Sequence, residues 1–240
     1  MKTIILLTGV ADQQLALGAL LKTHNPALSF RGAVTAEDLA AIEPEVLRQS
    51  RLLAFTTGVI VPGGILAALG HGAYNFHPGP PQYPGWAPAH FALYEGSRMF
   101  GVTAHAMAER VDSGPIIGVE SFIIPDKISV RGLEQMAYVR LAHLYWRMAR
   151  DLACNASPLA ELSIAWCGTK STKQMYREMC ELPPGVGPIE LARRIRCFHD
   201  DFRGIPLTYS LHGMRFQLAT TPAQATAEPE VASPPLAAAS

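Results

Sequence analysis

"TIILLTGVADQQLALGALLKTH", residues 3–24, decides how the chain is built. The apolar run at its start reads as a buried strand ending at Gly9, and "QQLALGALLKTH" repeats apolar residues at helical spacing. A buried strand followed by such a helix is the repeating unit of a parallel sheet. The unit recurs. "LSFRGAVT" (28–35) and "RLLAFTTGVIV" (51–61) read as strands, and "AEDLAAIEPEVLRQ" (36–49) and "GGILAALG" (63–70) as helical stretches, the second stopped by Gly70. "GAYNFHP" (72–78) is a strand cut off by Pro78, which has no ladder donor.

The expected fold is therefore α/β: a Rossmann-like, mostly parallel sheet with helices on both faces. Lys2 followed by an apolar run resembles a weak secretory signal, but the run is short and no cleavage site follows, so the strand reading stands. No apolar run reaches membrane-spanning length.

Composition narrows the function. The 240 residues are 49% hydrophobic, enough for a sizeable core, and 20 basic residues balance 20 acidic ones. This balance argues against a dedicated nucleic-acid groove or a polybasic membrane patch. Cys154, Cys167, Cys180 and Cys197 form no C-x-x-C pair, which argues against structural zinc and fits reduced thiols in a cytoplasmic protein.

Further along, "APAHFALYEGS" (87–97) has helical spacing, and "GVTAHAM" (101–107) alternates as a strand. "ERVDSGPII" (109–117) is a turn carrying Asp112, and "GVESFIIP" (118–125) is another strand. From Ser129, a helix N-cap, apolar residues recur through Leu133, Met136, Ala137, Leu141, Leu144, Tyr145, Met148 and Leu152, the pattern of a long amphipathic helix. Residues 1–160 thus read as one domain and 161–220 as a small helix–hairpin appendage. The appendage has a helix over 189–197 and a hairpin turning at His212–Gly213. Residues 221–240, rich in Ala and Pro, are expected to be a disordered tail.

The chemistry gathers in "YNFHPGPPQYPGWAP" (74–88). Asn75 and His77 stand two apart on a strand and so project to the same face, at the end where ligands collect in such sheets. Asp112 follows His77 by 35 residues (112 − 77), the span of one crossover helix and a strand. An amide, an imidazole and a carboxylate that converge can stabilise an oxyanion and move a nucleophile's proton. No Ser or Cys is placed to attack, so the nucleophile belongs to a substrate. Zinc held by His77, His105 and Asp112 is the competing reading, disfavoured because the chain lacks an H-x-H or H-x-x-x-H pair.

These segments together, N-x-H-P, then P-x-Y-x-G, then G-V-T-x-H-x-M leading to D-x-G-x-I-I, resemble the core of the folate-dependent formyltransferases. The strong match covers about residues 55–117, with weaker similarity from the start of the chain to about Ala153. The resemblance implies Asn75, His77 and Asp112 as the catalytic trio, 10-formyltetrahydrofolate as formyl donor and a primary amine as acceptor. It implies a protonated His77 that shares the oxyanion with Asn75. It places the pterin against the backbone of Phe55, Thr57, Gly58, Val59 and Ile60 and of Met107 and Val111. Tyr83, Gly85 and Trp86 would shape the acceptor side, and His105 would brace the site or contact substrate.

The first loop, "TGVADQQL", lacks the Gly/Ser-rich phosphate signature of the glycinamide ribonucleotide branch. The appendage is too short for the tRNA-binding domain of the methionyl-tRNA branch. Its loose likeness to the region that follows the core in the methionyl-tRNA and sugar branches makes an amino sugar nucleotide the leading acceptor. Arg193, Arg194, Arg196 and Arg203 could meet its anionic part, or form a solvated helix face. The alternatives are a formyltetrahydrofolate hydrolase and a catalytically silent folate-binding relative. The expected partner is a small-molecule amine, without nucleic acid or membrane. A homodimer would need an exposed apolar face on the appendage, since no heptad signals pairing.

Overall fold

The computed structural model describes residues 1–199 and 201–219. The apolar segments become strands and the 3.6-period segments helices, in the order β1 (Thr3–Thr8), α1 (Ala11–His24), β2 (Ser29–Ala33), α2 (Ala36–Ala40), α3 (Pro44–Arg48) and β3 (Ser50–Phe55). Then come α4 (Gly63–Ala68), β4 (Ala73–His77), α5 (Pro88–Tyr94), β5 (Met99–Ala106), β6 (Ile116–Ile123) and α6 (Val130–Cys154). These build a six-stranded sheet of order β2-β1-β3-β4-β5-β6. β1 to β4 run parallel, whereas β5 and β6 run antiparallel to their neighbours.

Helices cover both faces, as the alternation implies. On one face Leu21 of α1 and Leu133, Leu141, Leu144 and Leu152 of α6 pack against Ile4, Leu6, Leu53 and Phe76. On the other, Leu39 of α2 and Leu47 of α3, with Ile65 of α4, pack against Ile5, Leu7, Leu52 and Ala54. The long helix starts where expected, with Ser129 Oγ accepting the Gly132 N–H at 3.1 Å.

The connection from His77 to Asp112 does contain one helix and one strand, but it is not a parallel crossover. α5 has only seven residues, and β5 returns antiparallel to β4. Beyond α6 lie α7 (Lys173–Cys180), β7 (Glu181–Leu182), α8 (Pro188–Phe198), β8 (Thr208–Leu211) and β9 (Met214–Gln217). α8 matches the expected 189–197 helix, and the β8–β9 hairpin turns at His212 and Gly213, both with positive φ as a type I′ turn requires. α7, capped by Thr172 accepting the Met175 N–H at 3.1 Å, is an additional element. The tail expected over 221–240 lies outside the described residues. No described helix is long and apolar enough to cross a membrane.

Candidate active site

Period-two alternation puts Asn75 and His77 on one face of β4, and the β4–β5 register sets His105 opposite Asn75 and Thr103 opposite His77. Four polar side chains therefore continue a face that is apolar over β1 and β3. The β5–β6 hairpin loop carries Asp112, whose φ of 47° lies in the left-handed region. This loop brings the carboxylate back over the site. Asp112 Oδ2 accepts the Gly85 N–H at 2.8 Å and lies 3.5 Å from His77 Nδ1, and Oδ1 lies 3.3 Å from His105 Nε2.

The carbonyl partners fix the tautomers. His105 Nδ1 sits 2.9 Å from the Ala106 carbonyl, which can only accept, so Nδ1 carries a proton. In the neutral ring Nε2 then accepts, and Asn75 Nδ2, 3.1 Å away, donates to it. This orients the Asn75 amide and leaves its second N–H for a ligand. It also leaves two acceptors facing each other at His105 Nε2 and Asp112 Oδ1. Accordingly Asp112 Oδ1 is buried and without a hydrogen-bond partner among the described residues. His77 Nε2 lies 3.2 Å from the Tyr83 carbonyl and so donates to it.

The electrostatics separate the two titrating groups. Burial pushes the His77 imidazole below its ordinary pKa; Asp112 and the Tyr83 carbonyl pull it back and His105 opposes them, and the net direction is down. The protonated His77 that the resemblance implied is thus disfavoured, because the ring is only 5% exposed. Burial alone would raise Asp112. Contact with His105 and His77 in their charged forms, and the Gly85 N–H, outweigh it and hold the carboxyl at about 2.

The trio opens on a cavity of about 1230 Å³. Thr56, Thr57, Gly58, Val59, Ile60 and Val61 line one wall, with Met107 and Val111 beside them. Apart from the Val59 N–H to Thr57 Oγ1 at 3.2 Å, the backbone over 57–60 makes no hydrogen bond among the described residues. Gly85, Trp86 and His105 also line the cavity. Two expected residues do not. Phe55 is 2% exposed and points into the core, its ring 6.0 Å from Phe76 and 5.8 Å from Tyr145. The Tyr83 side chain turns away to donate to Glu95 at 2.8 Å, and only its carbonyl reaches the site.

The arginines divide. Arg194 is consumed by Glu190 and by the Met179 and Glu181 carbonyls, and Arg203 by Glu134 and Asp201 at 2.7 and 2.9 Å. Arg193 lies over the Tyr94 ring, and Arg196 lines the cavity.

Sequence reasoning missed the segment at 155–172, which crosses the site without regular structure. It pins the proline loop through Cys167 N–H to Pro81 O and Ser171 N–H to Pro84 O, both 2.9 Å, and through Trp86 N–H to Ser171 O at 3.0 Å. Its Trp166 packs against the His77 and His105 rings. A tryptophan in a stretch without periodicity carries no local signal, so only the tertiary fold reveals it.

Residues 31–140 match the family described as formyl transferase. This match and the relatives that follow support a folate-dependent formyltransferase. A methionyl-tRNA formyltransferase of Listeria monocytogenes is 31% identical over 138 residues, which are 53% of this chain and 42% of that protein. The chain thus spans about two fifths of the length of this curated relative. A sugar N-formyltransferase from a Shewanella species superposes with a TM-score of 0.73 at 16% identity, over 91% of this chain and 96% of that one. An N-formyltransferase from Helicobacter canadensis, described in complex with folinic acid and dTDP-3-aminofucose, superposes with a TM-score of 0.63 at 16% identity, over 89% and 85%. At these identities the structural matches speak for a shared fold, a Rossmann-like mostly parallel sheet.

Proposed function

We propose that this formyltransferase moves a formyl group from 10-formyltetrahydrofolate to the primary amine of a small acceptor, an amino sugar nucleotide. The observation that carries the reading is Asp112 Oδ1, a buried, unpartnered carboxylate oxygen beside Asn75 and His77 in a wide cavity. A lone buried acceptor is costly unless a ligand donates to it, and an attacking amine brings that N–H. At about 1230 Å³ the cavity exceeds what one small ligand needs and has room for donor and acceptor together.

The backbone of 57–60, unpaired apart from the Val59 N–H, and the apolar side chains of Val59, Ile60 and Leu66 suit a flat heteroaromatic edge such as a pterin. The donor supplies the formyl carbon as substrate. Asn75, Asp112 and His77 do the rest. The free N–H of Asn75 donates to the oxygen that gains charge as the amine adds. The Nε2–H of His77 joins it: its 3.2 Å bond to Tyr83 is long, and a charged acceptor competes well against it. Asp112 Oδ1 takes the amine proton, with His77 Nδ1 at 3.5 Å from Oδ2 beside it. As the intermediate collapses, the formyl C–N10 bond breaks and that proton passes to N10, releasing tetrahydrofolate. A neutral His77 suffices for this.

The acceptor wall combines Trp86 with Arg196 and Arg131, cations suited to phosphate. The fold shared with sugar N-formyltransferases supports the amino-sugar acceptor. Exposed Leu211, Met214 and Phe216 on the hairpin suit pairing of two copies. The test is tetrahydrofolate release from 10-formyltetrahydrofolate with water alone and with amines that include amino sugar nucleotides and glycinamide ribonucleotide. Release that needs an amino sugar nucleotide and is lost in Asp112→Asn supports the reading. Release into water alone replaces it with a hydrolase.

A further inference from the structure

Among the described residues, Trp166 is the one aromatic side chain that touches two imidazoles of the site. Its ring centre lies 5.8 Å from that of His77 at 73° and 5.0 Å from that of His105 at 86°, both edge-to-face. Its Nε1–H donates to the Gly114 carbonyl at 2.8 Å, two residues from Asp112 in the same loop. The backbone on either side is tied down: Leu162 N–H bonds Ile116 O at 2.7 Å, and Cys167 N–H bonds Pro81 O at 2.9 Å. Lys170 Nζ reaches Val111 O at 2.8 Å. One indole therefore joins the strand that carries His77, the strand that carries His105 and the loop that carries Asp112.

Trp166 does not line the cavity, whereas Asn75, His77, His105 and Asp112 all do. It meets the imidazoles from outside the cavity lining. His77 needs such a support. Its two ring nitrogens have only the long contacts at 3.2 and 3.5 Å, which leave the ring free to rock unless its face is packed.

We propose that Trp166 is a positioning residue, which holds the His77 and His105 rings toward the cavity and keeps water from their rear. The inference rests on the formyl-transfer reading for its kinetic consequence, but not for its structural one. Without the indole, water reaches His77 and lifts the burial that disfavours its charged form. Of the groups that face the ring, Asp112 and the Tyr83 carbonyl favour that form and His105 opposes it, and all three remain in place.

The test compares Trp166→Phe and Trp166→Ala with the parent chain in two measurements. The first is an NMR titration of the His77 ring protons, which reads the ring's environment whatever reaction the protein performs. The second is steady-state transfer to the active amine. In Trp166→Ala, His77 is expected to titrate at higher pH, and kcat to fall about tenfold or more. KM for the amine should stay within about twofold. The phenyl ring of Trp166→Phe should restore most of both. An unchanged titration in a folded Trp166→Ala overturns the proposal even if no formyl transfer is found. A raised KM at constant kcat also overturns it, because it would mean that Trp166 touches substrate. Equal losses in Phe and Ala would assign the effect to the Gly114 hydrogen bond instead of ring packing. If Trp166→Ala does not fold, Trp166→Leu, which fills more of the space, is read in the same way.

Discussion

At the scale of single residues, the proposed transfer turns on Asp112. Asp112→Asn preserves shape but replaces the proton-accepting oxygen, so transfer should fall by about 10² to 10⁴ with little change in amine KM, measured as tetrahydrofolate release. The same carboxyl sets an acid limit on stability. Its pKa drops from 3.8 to about 2 on folding, so its contribution, on the order of 2 kcal/mol, is fully present above 3.8. That contribution is lost as pH falls toward 2. His77 acts in the same sense at higher pH. Its folded pKa lies below 6.5, so the unfolded chain binds the extra proton first and stability declines as pH falls from about 6.5. Denaturation midpoints that hold steady from pH 7 to pH 4 would contradict the buried, neutral His77. The Asn75–His77 pair was legible because alternation on a strand is local. The state of His77 was not, since its burial comes from residues far along the chain.

Elements show a similar division between local pattern and distant contact. Strands β1 and β3 announce themselves as apolar runs, β4 by its stop at Pro78, helix α6 by its period and the hairpin by its turn at His212–Gly213. The antiparallel return of β5 does not: alternation gives a strand its faces but not its direction. Two residues carry consequences the pattern hides. Arg51, on a fully buried strand, donates to the carbonyls of His71, Leu152 and Ser157 at 3.0, 2.8 and 2.9 Å and so caps the C-terminal end of α6. Arg51→Met should lower stability by about 3 kcal/mol in urea titration, because those carbonyls lose their donors. Gly85 has φ of +95°, and a Cβ there would come within 2.1 Å of the Ser171 carbonyl. Gly85→Ala should therefore push the crossing segment off the proline loop and move the N–H that holds Asp112. Transfer is expected to fall more steeply than the melting temperature.

For the whole molecule, the sequence reads as a core followed by a helix–hairpin appendage, yet the packing joins them. Tyr176, Cys180, Phe198 and Leu207 belong to the same apolar cluster as Ile4, Phe76 and Leu144. A polar knot reinforces the join: His90, fully buried on α5, meets Asp201 at 3.3 Å, and Arg203 pairs with Asp201 and with Glu134 of α6. The cavity spans the same junction, with Asn75 and His77 on the sheet side and Arg196, Phe202 and Arg203 on the appendage side. One continuous core implies one cooperative transition. Tryptophan emission reports Trp86 and Trp166 at the junction together with Trp146 on α6, whereas far-UV circular dichroism reports the helices throughout. The two probes should give coincident urea curves. Arg203→Ala, which leaves Asp201 and Glu134 without their cation, should shift both curves together to lower urea by the same amount. An emission change that precedes the loss of helix would instead mean that the appendage opens as a separate unit, and the acceptor wall with it.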